Sequence, residues 1–229
     1  MPGEKQYLKS EQNREVQEQE RSTQKIENRI DKIQAPADST DEFPDSRVQM
    51  QQHYQNFLES GDVPDGPEGS LRPTQYPEVE ITPDGDVYGA HKDLHAFLKS
   101  EGLSGPRKDE MVHMEAHHLV KDQYMAPFGF NREEGLSVGI FSHEHMQNAH
   151  GKDRGIEFQL PSKAVYDIWD VVDGHVTAYK DIGRPEWAAK VQDYVRSNKD
   201  RILTAYQDGT VIWSKPEHVR KAERFLNAL

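Results

Sequence analysis

The 229-residue chain contains no cysteine, which excludes disulfides and thiolate metal sites and leaves histidine, carboxylates and amides as the available ligands. It is also poor in apolar residues. Only 34% are hydrophobic and the mean hydropathy is -0.93, lean for a protein that packs its whole length. No apolar run approaches the roughly 18 residues of a membrane span, and Met1–Ser10 lacks an apolar h-region. The sequence therefore predicts neither a membrane span nor a cleaved signal peptide, and any export is expected to use a route that needs none.

Basic residues are scarce too, and unevenly so. The net charge is -12, of which residues 1–105 contribute -10, residues 106–155 contribute -2 and residues 156–229 contribute none. An acidic chain argues against a nucleic-acid partner, but here the acidity is mainly N-terminal. Repulsion from an acidic arm is largely screened beyond about 8–10 Å, so a DNA-binding site farther along the chain is not forbidden.

Residues 4–34 are charged and rich in Gln and Glu, with a short stripe of Ile26, Ile30 and Ile33; they read as a solvated helix or as disorder. Residues 35–47 read as linker, and an amphipathic segment with Val48, Met50, Tyr54, Phe57 and Leu58 follows, ended by Gly61. Prolines and glycines through residues 60–76 predict a loop, and order is expected to begin near Val79. Val79–Thr82 and Val87-Tyr88 read as a hairpin about Pro83–Asp86. His91–Leu103 reads as a helix with Leu94, Phe97 and Leu98 inward and Gly102 near its end. Val165, Ile168, Trp169, Val172, Val176 and Tyr179 give a long amphipathic helix, Pro185 opens another through Val191, Tyr194 and Val195, and a last one follows Pro216. The apolar stripe over 165–179 and Trp187 are expected in the core.

What the chain has in abundance is histidine in one place: six of eleven lie between His113 and His150. Histidine is both the commonest metal ligand and the side chain suited to act as a base near neutral pH. Glu115-Ala116-His117-His118 reads as a strand, Pro127–Asn131 as a turn, Leu136–Phe141 as a second strand, and Ser142 as the N-cap of a helix carrying Glu144 and, one turn in, His145. In a regular strand His117 and His118 face opposite ways, so both can serve one site only from a strand end or turn. His143-Glu144-His145 does not complete H-E-x-x-H, because Gln147 stands where the second His is required, which removes a zinc-peptidase reading.

The run Glu115-Ala116-His117-His118, with Ser137-Val138 and a Ser-led helix bearing His145, resembles the HNH or ββα-metal nucleases, in the E-x-H-H version of colicin DNases and many bacterial polymorphic toxins. The resemblance covers about 40 to 50 residues around the motif. It implies that His117 binds the metal, His118 is the general base and His145 is a ligand. Glu115 is expected to be structural support, accepting hydrogen bonds that brace the site. The pattern departs from the family in two places. Where a further helix ligand is usual, four residues after His145, the chain has Ala149; His150 and Asn148 remain the candidates. The middle Asn of H-N-H is absent from the second strand, and Asn131 in the loop is the nearest replacement. His113, His143 and His150 otherwise read as bystanders.

The expected fold class is α+β: an acidic, largely disordered or helical arm and linker (1–76), a hairpin plus helix (77–105), an HNH-like ββα-metal module (106–155) and a helical C-terminal part (156–229). The expected activity is endonucleolytic DNA cleavage with low sequence specificity, using one divalent ion (Mg²⁺, Mn²⁺, Zn²⁺ or Ni²⁺). The toxin resemblance further implies an effector, with an immunity protein as a possible partner and the N-terminal arm as the piece recognised by a secretion or contractile-injection machine. Two alternatives stand beside it: a non-enzymatic metal-stabilised binding module, and an RNase on the same fold.

Overall fold

The computed structural model describes residues 45–61, 69–104, 113–145 and 166–229, all within one unit, Phe43–Leu229. Helix α1 (Ser46–Ser60) leads to β1 (Glu80–Ile81), β2 (Val87–Ala90), α2 (His91–Ser100), β3 (Met114–His118) and the one-turn helix α3 (Asp122–Met125). Two 3-10 turns, Ala126–Phe128 and Arg132–Glu134, precede β4 (Leu136–Phe141) and the short α4 (Ser142–Glu144). Helices α5 (Ile168–Asp181), α6 (Pro185–Ser197), α7 (Lys199–Gln207) and α8 (Pro216–Ala228) follow. The mixture of helices with a small antiparallel sheet is α+β, as expected. Among the described residues no helix is long and apolar enough to cross a membrane.

The sheet has the order β1-β2-β4-β3, every neighbour antiparallel. Side-chain alternation gives it two apolar faces. Ile81, Val87, Met114 and Phe141 pack with Met50, Leu94, Phe97 and Leu98 from α1 and α2. Tyr88, Val138 and Ile140 join the larger core with Trp169, Tyr179, Trp187 and Val191 of α5 and α6. Gly139 permits the first packing: a Cβ there would stand 2.6 Å from Val87 Cγ1 and 3.3 Å from Met114 Cε.

Two expectations are corrected. Order does not wait for Val79: Met50 and Leu71 are 0% and 1% exposed, and Leu71 exchanges both backbone hydrogen bonds with Ile81. The amphipathic segment ended by Gly61 is α1, which turns at that glycine through a positive φ of 68°. Ser142 is not an N-cap; that position is Phe141, and Ser142 is the first helical residue. The Ser142 hydroxyl donates instead to His113 O (3.0 Å), while Glu144 Oε2 accepts from Phe141 N (2.9 Å). Helix α7 was not legible in the sequence pattern. Val165 and the expected helix beyond His145 lie outside the described residues.

Candidate active site

Strand β3 carries the histidine pair and β4 leads directly into α4 and His145, with His117 paired to Val138 and His118 to Ser137. The alternation along β3 puts His113, Glu115 and His117 on one side. His145 arrives over that side from the end of α4. His117 Nδ1 and His145 Nε2 face each other at 3.0 Å, and His145 Nδ1 donates to Glu115 Oε2 at 2.8 Å. Glu115 Oε1 also accepts from His113 Nε2 (3.1 Å), and Ser142 Oγ, whose proton goes to His113 O, stands 2.9 Å from His113 Nε2 and 3.4 Å from Glu115 Oε1. Partial burial pushes the Glu115 carboxyl up, but its hydrogen bonds to His145 and His113 outweigh burial and hold it below the usual carboxylate range. An ionised Glu115 thereby holds a proton on His145 Nδ1 and turns Nε2 toward His117.

This pair has the form of half a metal site. Two imidazole nitrogens on one tetrahedral ion, each about 2.0–2.1 Å from it, stand roughly 3.3 Å apart; the observed 3.0 Å is a shared proton's distance that a small movement would convert. The carboxylate behind His145 stands where the outer partner of a ligating imidazole stands in metal sites. His117 is 8% exposed. Among the described residues no group of three or more His, Cys, Asp or Glu side chains is arranged to hold a metal ion, which leaves the pair as two candidate ligands. The remaining candidates, Asn148 and His150, lie outside the described residues. His143 stacks over Phe141, ring centroids 5.6 Å apart.

His118 occupies the opposite side of β3, at the strand's last position. Its Nε2 lies 2.9 Å from Arg132 O, the backbone carbonyl that an oriented neutral imidazole needs, which leaves the lone pair on Nδ1. The carbonyl belongs to the turn Arg132–Glu134. Asn131 caps that turn, its Oδ1 accepting from Glu134 N (3.1 Å) while Glu134 Oε2 accepts from Asn131 N (3.4 Å). Among the described residues Asn131 is bonded to Glu134 and to no histidine; it braces the segment whose carbonyl meets His118.

Three residues with no expected part in the site complete this side. His91, first residue of α2, stacks on His118 with centroids 4.1 Å apart and planes 18° off parallel. Gly135 lies against the His118 ring so closely that a Cβ would stand 2.7 Å from Cδ2. Arg201 of α7 donates to Gly129 O and to Glu134 Oε2 (2.9 Å) and sits over the Phe130 ring at 4.1 Å, holding the loop from outside. Tyr179 of α5 donates to Leu119 O at 2.7 Å, tying the residue after His118 to the helical layer.

Comparison with models of protein families, with curated proteins and with solved structures finds no match to this chain.

Proposed function

We propose that the chain is a metal-dependent endonuclease that hydrolyses phosphodiester bonds in DNA with little sequence preference, through a ββα-metal site of the HNH type. The observation that carries this reading is the His117–His145 pair, 3.0 Å apart with Glu115 behind one ring, on antiparallel strands that run directly into a helix. His117 and His145 would hold a divalent ion (Mg²⁺, Mn²⁺, Zn²⁺ or Ni²⁺), with His150 as a further candidate. When bound, such an ion neutralises charge on the phosphate and on the departing oxygen.

The rest is done by the chain. His118, its Nε2–H given to the Arg132 carbonyl, takes a proton from water at Nδ1. The water oxygen bonds to phosphorus, the bond to the leaving oxygen breaks, and the leaving oxygen is protonated from solvent. General-base assistance of this kind contributes about 10²–10⁴-fold. On the resemblance to toxin nucleases the protein is an effector, its producer protected by an immunity protein, with the acidic N-terminal arm recognised by a secretion or contractile-injection machine.

A plasmid-nicking assay with Mg²⁺, Mn²⁺, Zn²⁺ or Ni²⁺, with a chelator control and an RNA substrate beside it, tests the reading. Metal-dependent nicking abolished by the chelator is the expected result. Cleavage of RNA alone would make the protein an RNase. Tight metal binding with cleavage of neither substrate would make it a metal-stabilised binding module.

A further inference from the structure

Strand β2 pairs with β4, Ala90 opposite Leu136 and Gly89 opposite Ser137. The residue that follows, His91, is thereby set down beside Gly135, although 44 positions separate them in sequence. Its backbone N–H donates to Gly135 O at 2.9 Å. The same carbonyl accepts the Ser137 hydroxyl at 3.2 Å, which spends the Ser137 proton. The remaining lone pair of that hydroxyl accepts from His91 Nδ1–H at 3.3 Å, so the His91 tautomer is fixed by the sheet register. Burial, then the neighbouring His118 and Arg132, push the His91 imidazole down to about 4. At neutral pH it is an uncharged flat ring.

That ring lies parallel to His118 at 4.1 Å. The His118 imidazole is consequently confined on three sides: its face by His91, its edge by Gly135, and its Nε2 by the Arg132 carbonyl. Rotation of the ring about its bond to Cβ would drive it into one of these. The chemistry of the wall matters as much as its shape. A lysine or arginine here would repel a proton arriving on His118, and a carboxylate would compete with Arg132 O for its N–H. A neutral aromatic ring does neither.

We propose that His91 is a positioning residue for His118, a planar wall that holds the His118 ring in the orientation in which Nε2 meets the Arg132 carbonyl. The consequence for catalysis rests on the reading of His118 as the base; the positional claim does not. Full-length His91→Ala, His91→Asn and His91→Phe variants separate the wall from the hydrogen bond, because Asn keeps a donor for Ser137 and Phe keeps a flat ring. Three readouts apply to each: kcat and KM for metal-dependent DNA cleavage, Mn²⁺ affinity by calorimetry, and ring NMR of ¹⁵N-histidine-labelled protein at fixed pH.

The Ala and Asn variants are expected to lower kcat by about 10- to 100-fold, the range for a misplaced catalytic group, with KM and Mn²⁺ affinity changed by less than about twofold. The Phe variant is expected to restore most of the rate. In the NMR spectra the Nε2–H tautomer of His118 should persist in the Phe variant and give way to exchange-broadened mixed tautomers in the other two. An unchanged kcat in His91→Ala, or rescue by Asn and not by Phe, would overturn the proposal. So would a matched fall in kcat, Mn²⁺ affinity and melting temperature, which marks a fold defect. Should the wild-type protein cleave nothing, the nuclease reading fails and the NMR arm alone decides: a disturbed His118 in His91→Ala upholds the wall, an undisturbed one removes it.

Discussion

Gly135→Ala is the sharpest perturbation of His118, the proposed base, because it removes no functional group. The backbone at Gly135 has φ -61° and ψ 134°, a region open to any residue, so the substitution costs no backbone strain. The added methyl would stand 2.7 Å from His118 Cδ2, 3.1 Å from Nε2 and 3.4 Å from Arg132 O. Ordinary carbon contacts begin near 3.5 Å, so the ring must retreat by roughly 0.8 Å. His91 blocks one direction and Arg132 O is the partner it retreats from, which lengthens a hydrogen bond now at 2.9 Å. Overpacking costs about 1–3 kcal/mol, and the half-exposed ring places this case near 1. The rate should suffer far more, since a displacement approaching 1 Å costs on the order of 10²-fold. Plasmid-nicking rates and thermal melting of the same preparation measure the two effects. Wild-type nicking by a Gly135→Ala protein would refute the argument that His118 works only from its present position.

His118→Ala should abolish cleavage while leaving metal affinity nearly intact, and His117→Ala should lose both; calorimetry beside the nicking assay separates them, and metal binding lost in His118→Ala would reverse the assignment. Glu115→Gln keeps the shape but weakens the support of His145 and should cost about 10–100-fold in metal affinity; unchanged affinity would mean that the carboxylate is not a ligand's partner. His175 predicts a pH dependence of stability. It is 0% exposed, its Nδ1 donates to Val171 O at 2.6 Å, and burial pushes it from an ordinary 6.5 down to about 4. The unfolded chain therefore binds this proton first on acidification: the contribution is fully present above pH 6.5 and is lost as pH falls toward 4, about 2 kcal/mol of it by pH 5. His175→Phe should flatten that part of the pH–stability curve, measured by denaturant unfolding, and an unchanged slope between pH 7 and 5 would refute it.

The elements that the sequence reveals are those whose signal is local. Strand β4 spans Leu136–Phe141, and the helices after Pro185 and Pro216 start where proline can stand without a lost hydrogen bond. Trp187, Trp169 and Tyr179 are buried as their spacing implies. Helix α7 escaped because only Asn198 separates it from α6, leaving no Gly or Pro break to read. The boundary at Ser142 slipped by one residue because a hydroxyl that could cap the helix is claimed by His113 O, just before β3, a partner 29 residues away. His91 carries no local signal at all. A histidine opening an amphipathic helix is unremarkable until the order β1-β2-β4-β3 sets it on His118, and pairing of β2 with β4 across α2 and β3 is not encoded in any short window.

The same strand geometry that forces His117 and His118 apart also explains how one short motif can serve two chemical needs. A ligand for a cation wants an anion behind it, and Glu115 provides that to His145 on one side of β3. A base that must release its proton again wants a neutral setting, since a carboxylate would hold the proton and a cation would refuse it. On the other side of β3, the groups against His118 are a carbonyl, a glycine and an uncharged imidazole, and the Arg132 and Glu133 charges that act on that imidazole are of opposite sign. Were both histidines on one face, Glu115 would lie two residues from the base and within reach of it. The alternation of the strand keeps the carboxylate with the proposed ligands and away from the proposed base, and the adjacency of the two histidines in sequence is what makes them opposite in space.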